Sequence, residues 1–347
     1  MVATILAGDV GGTKIHLGLY HAAEGALIPR ADRTYATRDY PNFETVIRDF
    51  LGGESRVAAA CCGVPGPVYA GVSRPVNIPW EIREQSLSVV LHGAPVRLLN
   101  DLEATAWGTL HLTDAETAVL QAGQAREDPA NMKAVANMVV IAAGTGLGEA
   151  GMVRIHDGWH AVASEGGHAD FAPRGDEQEA LLRFLAREFD HVSFERLASG
   201  PGLHNIYRFV VSRAQGQEPD WLVARMRTED PSAVVGEIGV TGREPNCERA
   251  LALFTAIYGA EAANLALKYL ALGGVYVCGG IAPKILPALR GGGFIRAFLD
   301  KGRMRSTLEQ IPVRVSLNEN LGLIGAAHAA ASMIGAISSV KTMEDGH

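Results

Sequence analysis

The chain has 347 residues, 48% of them apolar and 20% charged, the make-up of an ordinary globular protein long enough for two domains. Its net charge of -7 is not interrupted by any basic cluster, so no lysine- or arginine-rich face is available to displace the counterions of nucleic acid. The cysteines Cys61, Cys62, Cys247 and Cys278 form no CxxC pair, and reduced thiols of a cytoplasmic protein are expected rather than a disulfide frame or a zinc knuckle.

In chain order, the start runs from Met1 into a strand without a basic stretch, so no signal peptide is expected. Residues 4–20 place two apolar runs around Gly8-Asp-Val-Gly-Gly-Thr13, as in a β-hairpin. Short strands are expected at 57–62 and 96–99, followed by a helix over 103–110. Residues 138–153 repeat the strand-turn-strand pattern around Gly144-Thr-Gly-Leu-Gly148, which suggests two related halves. Helical spacing covers 177–189 and 248–272, with a short helix at 195–197. For the long one, Asn246 offers an N-cap and Gly273-Gly274 a stop. Residues 214–245 turn polar without a sustained apolar period and read as a surface excursion. Residues 275–281 form a strand ending in glycines. Residues 321–337 are Ala/Gly-rich and fall short of the ~20 strongly apolar residues a bilayer needs, so a buried helix is expected and no membrane partner.

The two glycine turns carry the chemistry. The first is not a Walker loop, since Lys14 follows Thr13 and a strand rather than a helix comes next. Missing side chains let backbone N–H groups approach phosphate oxygens, with Thr13 as an extra donor, and Asp9 beside them could hold Mg²⁺ through water. Asn100 and Asp101 end an apolar strand, where they could cap the next helix, and where an α/β protein places a general base. Ser164-Glu-Gly-Gly-His168 sets Glu165 and His168 around two glycines in a loop shaped for a polar ligand. Glu195 is either a first-turn helix carboxylate or part of the same site. His156, His160 and His168 lack a helical carrier for zinc.

Gly8-Asp-Val-Gly-Gly-Thr13, Leu99-Asn-Asp-Leu102, Gly144-Thr-Gly-Leu-Gly148, Glu165-Gly-Gly-His-Ala-Asp-Phe171, Ser199-Gly-Pro-Gly202, Cys278-Gly-Gly-Ile281 and Leu321-Gly-Leu-Ile-Gly-Ala-Ala327 stand in an order that resembles the bacterial glucokinase family, of the hexokinase-type, actin-like ATPase superfamily. Lys14 is more typical of the related repressor/kinase group of sugar kinases, but no cysteine-rich motif of that group follows His168. The resemblance implies an α/β fold of two ribonuclease-H-like domains with an interdomain active-site cleft. Residues 1–110 would form the small domain, completed by 320–347, and 111–319 the large one. Glucose would be held by Asn100, Asp101, Glu165, His168 and Glu195, with Asp101 as the base. ATP would lie on Gly8, Asp9, Val10, Gly11, Gly12 and Thr13, on Gly144, Thr145 and Gly146, and on Gly279 and Gly280. Mg²⁺ and a homodimer are implied too. The competing readings are a kinase for another hexose or amino sugar, and a non-catalytic sugar sensor.

Overall fold

A computed structural model describes residues 2–23, 26–53, 56–75, 78–123, 136–155, 158–214 and 218–335. Part of the expected C-terminal segment, residues 336–347, lies outside them. By compactness the chain divides into two units. One comprises Met1–Thr113, Ala150–Ala163 and Asn318–His347, and the other Asp114–Glu149 and Ser164–Leu317.

The first unit is built on strands β1 (Ala3–Val10), β2 (Lys14–Ala23), β3 (Ala26–Ala36) and β4 (Ala59–Val64). A small sheet of β5 (Val68–Tyr69), β6 (Val72–Ser73) and β7 (Ile82–Arg83) precedes β8 (Val96–Asn100). The main sheet has the order β3-β2-β1-β4-β8. Its β1–β2–β3 part is antiparallel, and β1–β4 and β4–β8 are parallel. β4 is buried at every residue, as a strand covered on both faces must be. The helices Asp101–Thr109 and Leu321–Met333 cross closely in this unit: a Cβ at Gly325 would collide with the Ala104 carbonyl, and one at Gly108 with the Leu321 carbonyl.

The remaining strands are β9 (Thr117–Gln121), β10 (Met138–Ala143), β11 (Leu147–Ile155), β12 (Gly158–Ser164), β13 (Gly274–Cys278) and β14 (Val313–Ser316), in the order β12-β11-β10-β13-β14-β9. The glycine-turn strands β10 and β11 stand in this order as β1 and β2 do in the first sheet, and β13 pairs parallel with β10 as β4 does with β1. The repeat inferred from the two turns is therefore a repeat of topology. Phe254, Tyr258, Phe294 and Phe298 are fully buried at the centre of the second unit's core.

Three sequence expectations need correction. Residues 214–245 are not an excursion: they hold the helices Asp220–Thr228 and Pro231–Thr241, which bury Leu222, Val234, Val235 and Ile238. Their arginines and glutamates lie along exposed faces and dilute the apolar period. The long helix runs Pro245–Tyr269 and is capped by Glu244, whose carboxylate accepts from Cys247 N at 2.7 Å, not by Asn246. It stops at Leu270, in the left-handed region, before the glycines are reached. By length and composition this helix, rather than Leu321–Met333, is the one long and apolar enough to cross a membrane among the described residues, but it is mostly buried in the core. The expected helix over 195–197 is the single 3-10 turn Phe194–Arg196.

Candidate functional site

In the first unit, the β1–β2 hairpin closes with Gly11 N donating to Lys14 O at 2.8 Å. The turn is braced from outside by buried Thr37, whose hydroxyl donates to Gly11 O at 2.8 Å and whose N–H donates to Thr13 O at 3.0 Å. With those carbonyls engaged, no hydrogen bond among the described residues uses the N–H groups of Gly12 and Thr13, which stand exposed at the tip. An exposed turn of free amides is a concavity for anionic oxygens. Gly8 serves packing: a Cβ there would lie 2.8 Å from Cys62 Sγ. Asp9 pairs in register with His16, and burial raises its pKa while His16 and Lys14 oppose the shift. Val10 is buried in the core.

Asn100 ends β8 and caps Asp101–Thr109 through a full capping box. Its Oδ1 accepts from Leu102 N at 2.9 Å, and Glu103 Oε2 accepts from Asn100 N at 2.9 Å. Asn100 Nδ2 donates to Gly66 O at 3.0 Å, so the side chain, 7% exposed, is fixed at both ends. Asp101 follows as the first helical residue, with Oδ1 accepting from Leu102 N at 2.9 Å. The capping and site readings of this pair coexist.

In the second unit, Tyr258 fixes the end of β10: its hydroxyl accepts from Ala143 N at 3.1 Å and donates to Ile141 O at 3.2 Å. The glycine turn follows, with Gly144 N donating to Gly146 O at 2.9 Å. Gly200 N, at the start of the helix Gly200–Arg213, donates to Gly144 O at 2.8 Å, and Glu195 Oε2 accepts from Leu147 N at 3.0 Å. Thr145 is exposed between these anchors. Gly279, at φ +84°, packs so tightly on Ala143 that a Cβ would lie 2.6 Å from its carbonyl oxygen. Gly280 next to it is exposed, with open space where a side chain would stand.

The loop bearing Glu165 and His168 is a 3-10 turn at Gly166–His168. Backbone bonds tie it to the chain around Glu195, from Phe171 N to Val192 O and from Phe194 N to Ala169 O, each 3.0 Å. His168 Nε2 lies 3.9 Å from Glu165 Oε2, and its Nδ1 lies 3.8 Å from Glu195 Oε1. His168 and Glu195 line a cavity of about 370 Å³ shared with His191 and Ser193. Glu195 is thus more than a helix carboxylate: one oxygen holds the glycine turn and the other faces His168. Its neighbour Ser199 donates to Glu195 O at 2.6 Å and caps the next helix. Of the histidines considered for zinc, His156 lies outside the described residues. Among the described residues, no three His, Cys, Asp or Glu side chains gather to hold a metal.

Thr37 was not foreseen. A threonine after a strand carries no mark of reaching back 26 positions to brace a turn.

The first glycine turn presents exposed amides suited to anionic oxygens, the second exposes Thr145, and the loop of Glu165 and His168 with Glu195 presents groups suited to a polar ligand. The glucokinase family profile matches residues 6–333. A glucokinase from a Nostoc species is 37% identical over 95% of this chain and 99% of its own. The crystal structure of a glucokinase from an Antarctic psychrotroph superposes with a TM-score of 0.78 at 30% identity, covering 93% of this chain and 97% of that one. The glucokinase of Balamuthia mandrillaris, solved in complex with glucose, shares the fold at a TM-score of 0.77 and 20% identity, over 95% and 94% of the two chains. The chain belongs to the glucokinase family.

Proposed function

We propose that this protein transfers the terminal phosphoryl group of ATP to the 6-hydroxyl of D-glucose, with Asp101 as general base. The observation that carries the assignment of the base is the position of Asp101 at the carboxyl end of parallel strand β8, where the capping box of Asn100 fixes the backbone that bears it. In the reaction the glucose O6 forms a bond to the γ-phosphorus and the bond from that phosphorus to the bridging oxygen of ADP breaks. The O6 proton passes to the Asp101 carboxylate, giving ADP and glucose 6-phosphate.

Asn100, Glu165, His168 and Glu195 supply acceptors and donors for the remaining hydroxyls. A sugar hydroxyl both gives and takes a hydrogen bond, and buried groups left without one reject the wrong ligand. The free amides of the two glycine turns suit the phosphates, and the bare backbone at Gly279 and Gly280 suits the adenosine. Asp9 supplies a carboxylate next to the first glycine turn, the donor type that would hold magnesium through water, and Gly322 packs close against it, where a Cβ would lie 3.0 Å from Asp9 Cγ. When bound, the ion neutralises phosphate charge. The family resemblance further supports a cytoplasmic homodimer.

Asp101→Asn keeps size and helix-start geometry but removes the proton acceptor. Its turnover with glucose is expected to fall by ~10² or more while glucose KM changes far less. Initial rates of ADP formation on the folded variant check this, and full turnover would exclude Asp101 as the base.

A further inference from the structure

Glu149 lies inside β11, two positions after Leu147, and is 0% exposed. Facing it is Glu261 of the helix Pro245–Tyr269, also 0% exposed. Two carboxylates so buried cannot both be charged without a cost of several kcal/mol. Among the described residues no donor reaches either oxygen of Glu149 or Oε1 of Glu261. Glu261 Oε2, by contrast, accepts from Asn264 Nδ2 at 2.8 Å, and Asn264 Oδ1 accepts from Lys301 Nζ at 2.5 Å. Lys268 Nζ lies 3.9 Å from Glu261 Oε1. Lys268 and Lys301 are the cations facing the pair, and Tyr258 and Tyr269 are the other titratable groups near Glu149. Positive charge therefore reaches Glu261 and favours it as the anion, which leaves the proton on Glu149, pointing at Glu261. Desolvation and the neighbouring Glu261 push Glu149 up to about 8.

The other side of Glu149 is the sugar loop. Gly166 sits so close that a Cβ on it would collide with Glu149 Oε2, and Gly166 N donates to Ser164 Oγ at 2.9 Å. Gly166 lies between Glu165 and His168, so any displacement of the Glu149 carboxyl moves the backbone that carries both.

We propose that Glu149 and Glu261 hold one proton between their carboxyls, and that this protonated pair is the seat on which Gly166 fixes the 165–168 loop for sugar binding. Glu149 is then a positioning residue. The second half of the proposal rests on Glu165 and His168 being the sugar ligands. Loss of the proton puts two like charges together under the loop, and repulsion shifts Gly166.

A carboxyl raised from 4.5 to about 8 binds more protons in the folded chain than in the unfolded one, so stability falls as pH rises through that window. Glu149→Gln offers an amide donor to Glu261 in place of the shared proton and cannot ionise. Wild type is expected to lose stability from about pH 5 to about pH 8, and to show a several-fold rise in glucose KM from about pH 7 to about pH 9 with ATP KM unchanged. Glu149→Gln should show neither change and keep the low-pH glucose KM throughout. Glu261→Gln, the second variant, places the donor on the other partner and should flatten the same two profiles.

Wild type and both variants tracking each other across pH, in stability and in glucose KM, would overturn the shared proton. Parallel movement of glucose and ATP KM would overturn the specific link to the loop. A wild-type chain with no glucose turnover at any pH would remove the sugar half of the proposal together with the proposed function, while the stability profiles would still decide the shared proton.

Discussion

The two glycine turns each join a pair of strands, but they close differently, Gly11 N on Lys14 O and Gly144 N on Gly146 O, and they have different supports. In the first unit, residues 11–13 are held by the hydroxyl and N–H of Thr37, a neutral residue buried behind the hairpin. In the second, residues 144–147 are held by Gly200 N, which donates to Gly144 O, and by the carboxylate of Glu195, which accepts from Leu147 N and whose other oxygen faces His168. The support of the first turn involves none of Glu165, His168 and Glu195, the sugar ligands proposed in the second unit, whereas the second turn shares Glu195 with the loop of His168. Under the proposed roles, the second unit supports its phosphate turn through a sugar ligand and the first unit does not.

Variants can break this contrast. After the loss expected for Asp101→Asn, the largest effect belongs to Glu195→Ala. Removing the carboxylate leaves Leu147 N without its acceptor at a cost of ~1–3 kcal/mol and frees His168, so KM for both ATP and glucose should rise by roughly tenfold. A rise confined to glucose would show that Glu195 does not support the turn. Thr37→Val keeps shape and loses the bond from the hydroxyl to Gly11 O, a change of ~1 kcal/mol. It should raise ATP KM several-fold with glucose KM unchanged, and equal movement of both constants would remove the distinction between the turns.

Much of this was legible in the sequence, for identifiable reasons. The hairpins, β8 with its Asn100-Asp101 terminus, and β13 announce themselves because apolar runs stop at residues with local backbone roles. The supports were not legible, because they act across the fold. Thr37 reaches Gly11, Glu195 reaches Leu147, and Glu149 reaches Gly166, and none of these pairs shares an element. Glu149 left a faint signal, a carboxylate among the apolar residues of the first half of β11. Asp230-Pro231 carried a stronger one, a capping residue before a proline at the first helical position. The charged faces around it hid the helix that follows.

The smallest expected effect concerns stability alone. In the first unit His111 and His328 stack with ring centroids 3.2 Å apart, and burial lowers them to about 4 and about 3. The unfolded chain binds the extra protons, so stability is full above the ordinary histidine value of 6.5 and is lost as pH falls toward 4. His328→Leu should make that fall shallower by up to ~1.4 kcal/mol per pH unit, read from urea midpoints across the range. Identical slopes in variant and wild type would show that the stacked pair is not buried neutral.

Phosphorylation of glucose on O6 is decided by initial rates of ADP formation with ATP and Mg²⁺ against glucose, mannose, fructose and N-acetylglucosamine, followed by phosphorus NMR of the product. The highest kcat/KM is expected for glucose, with a product phosphorus coupled to the protons on C6. Preference for another hexose, or no turnover of glucose by folded protein, would contradict it.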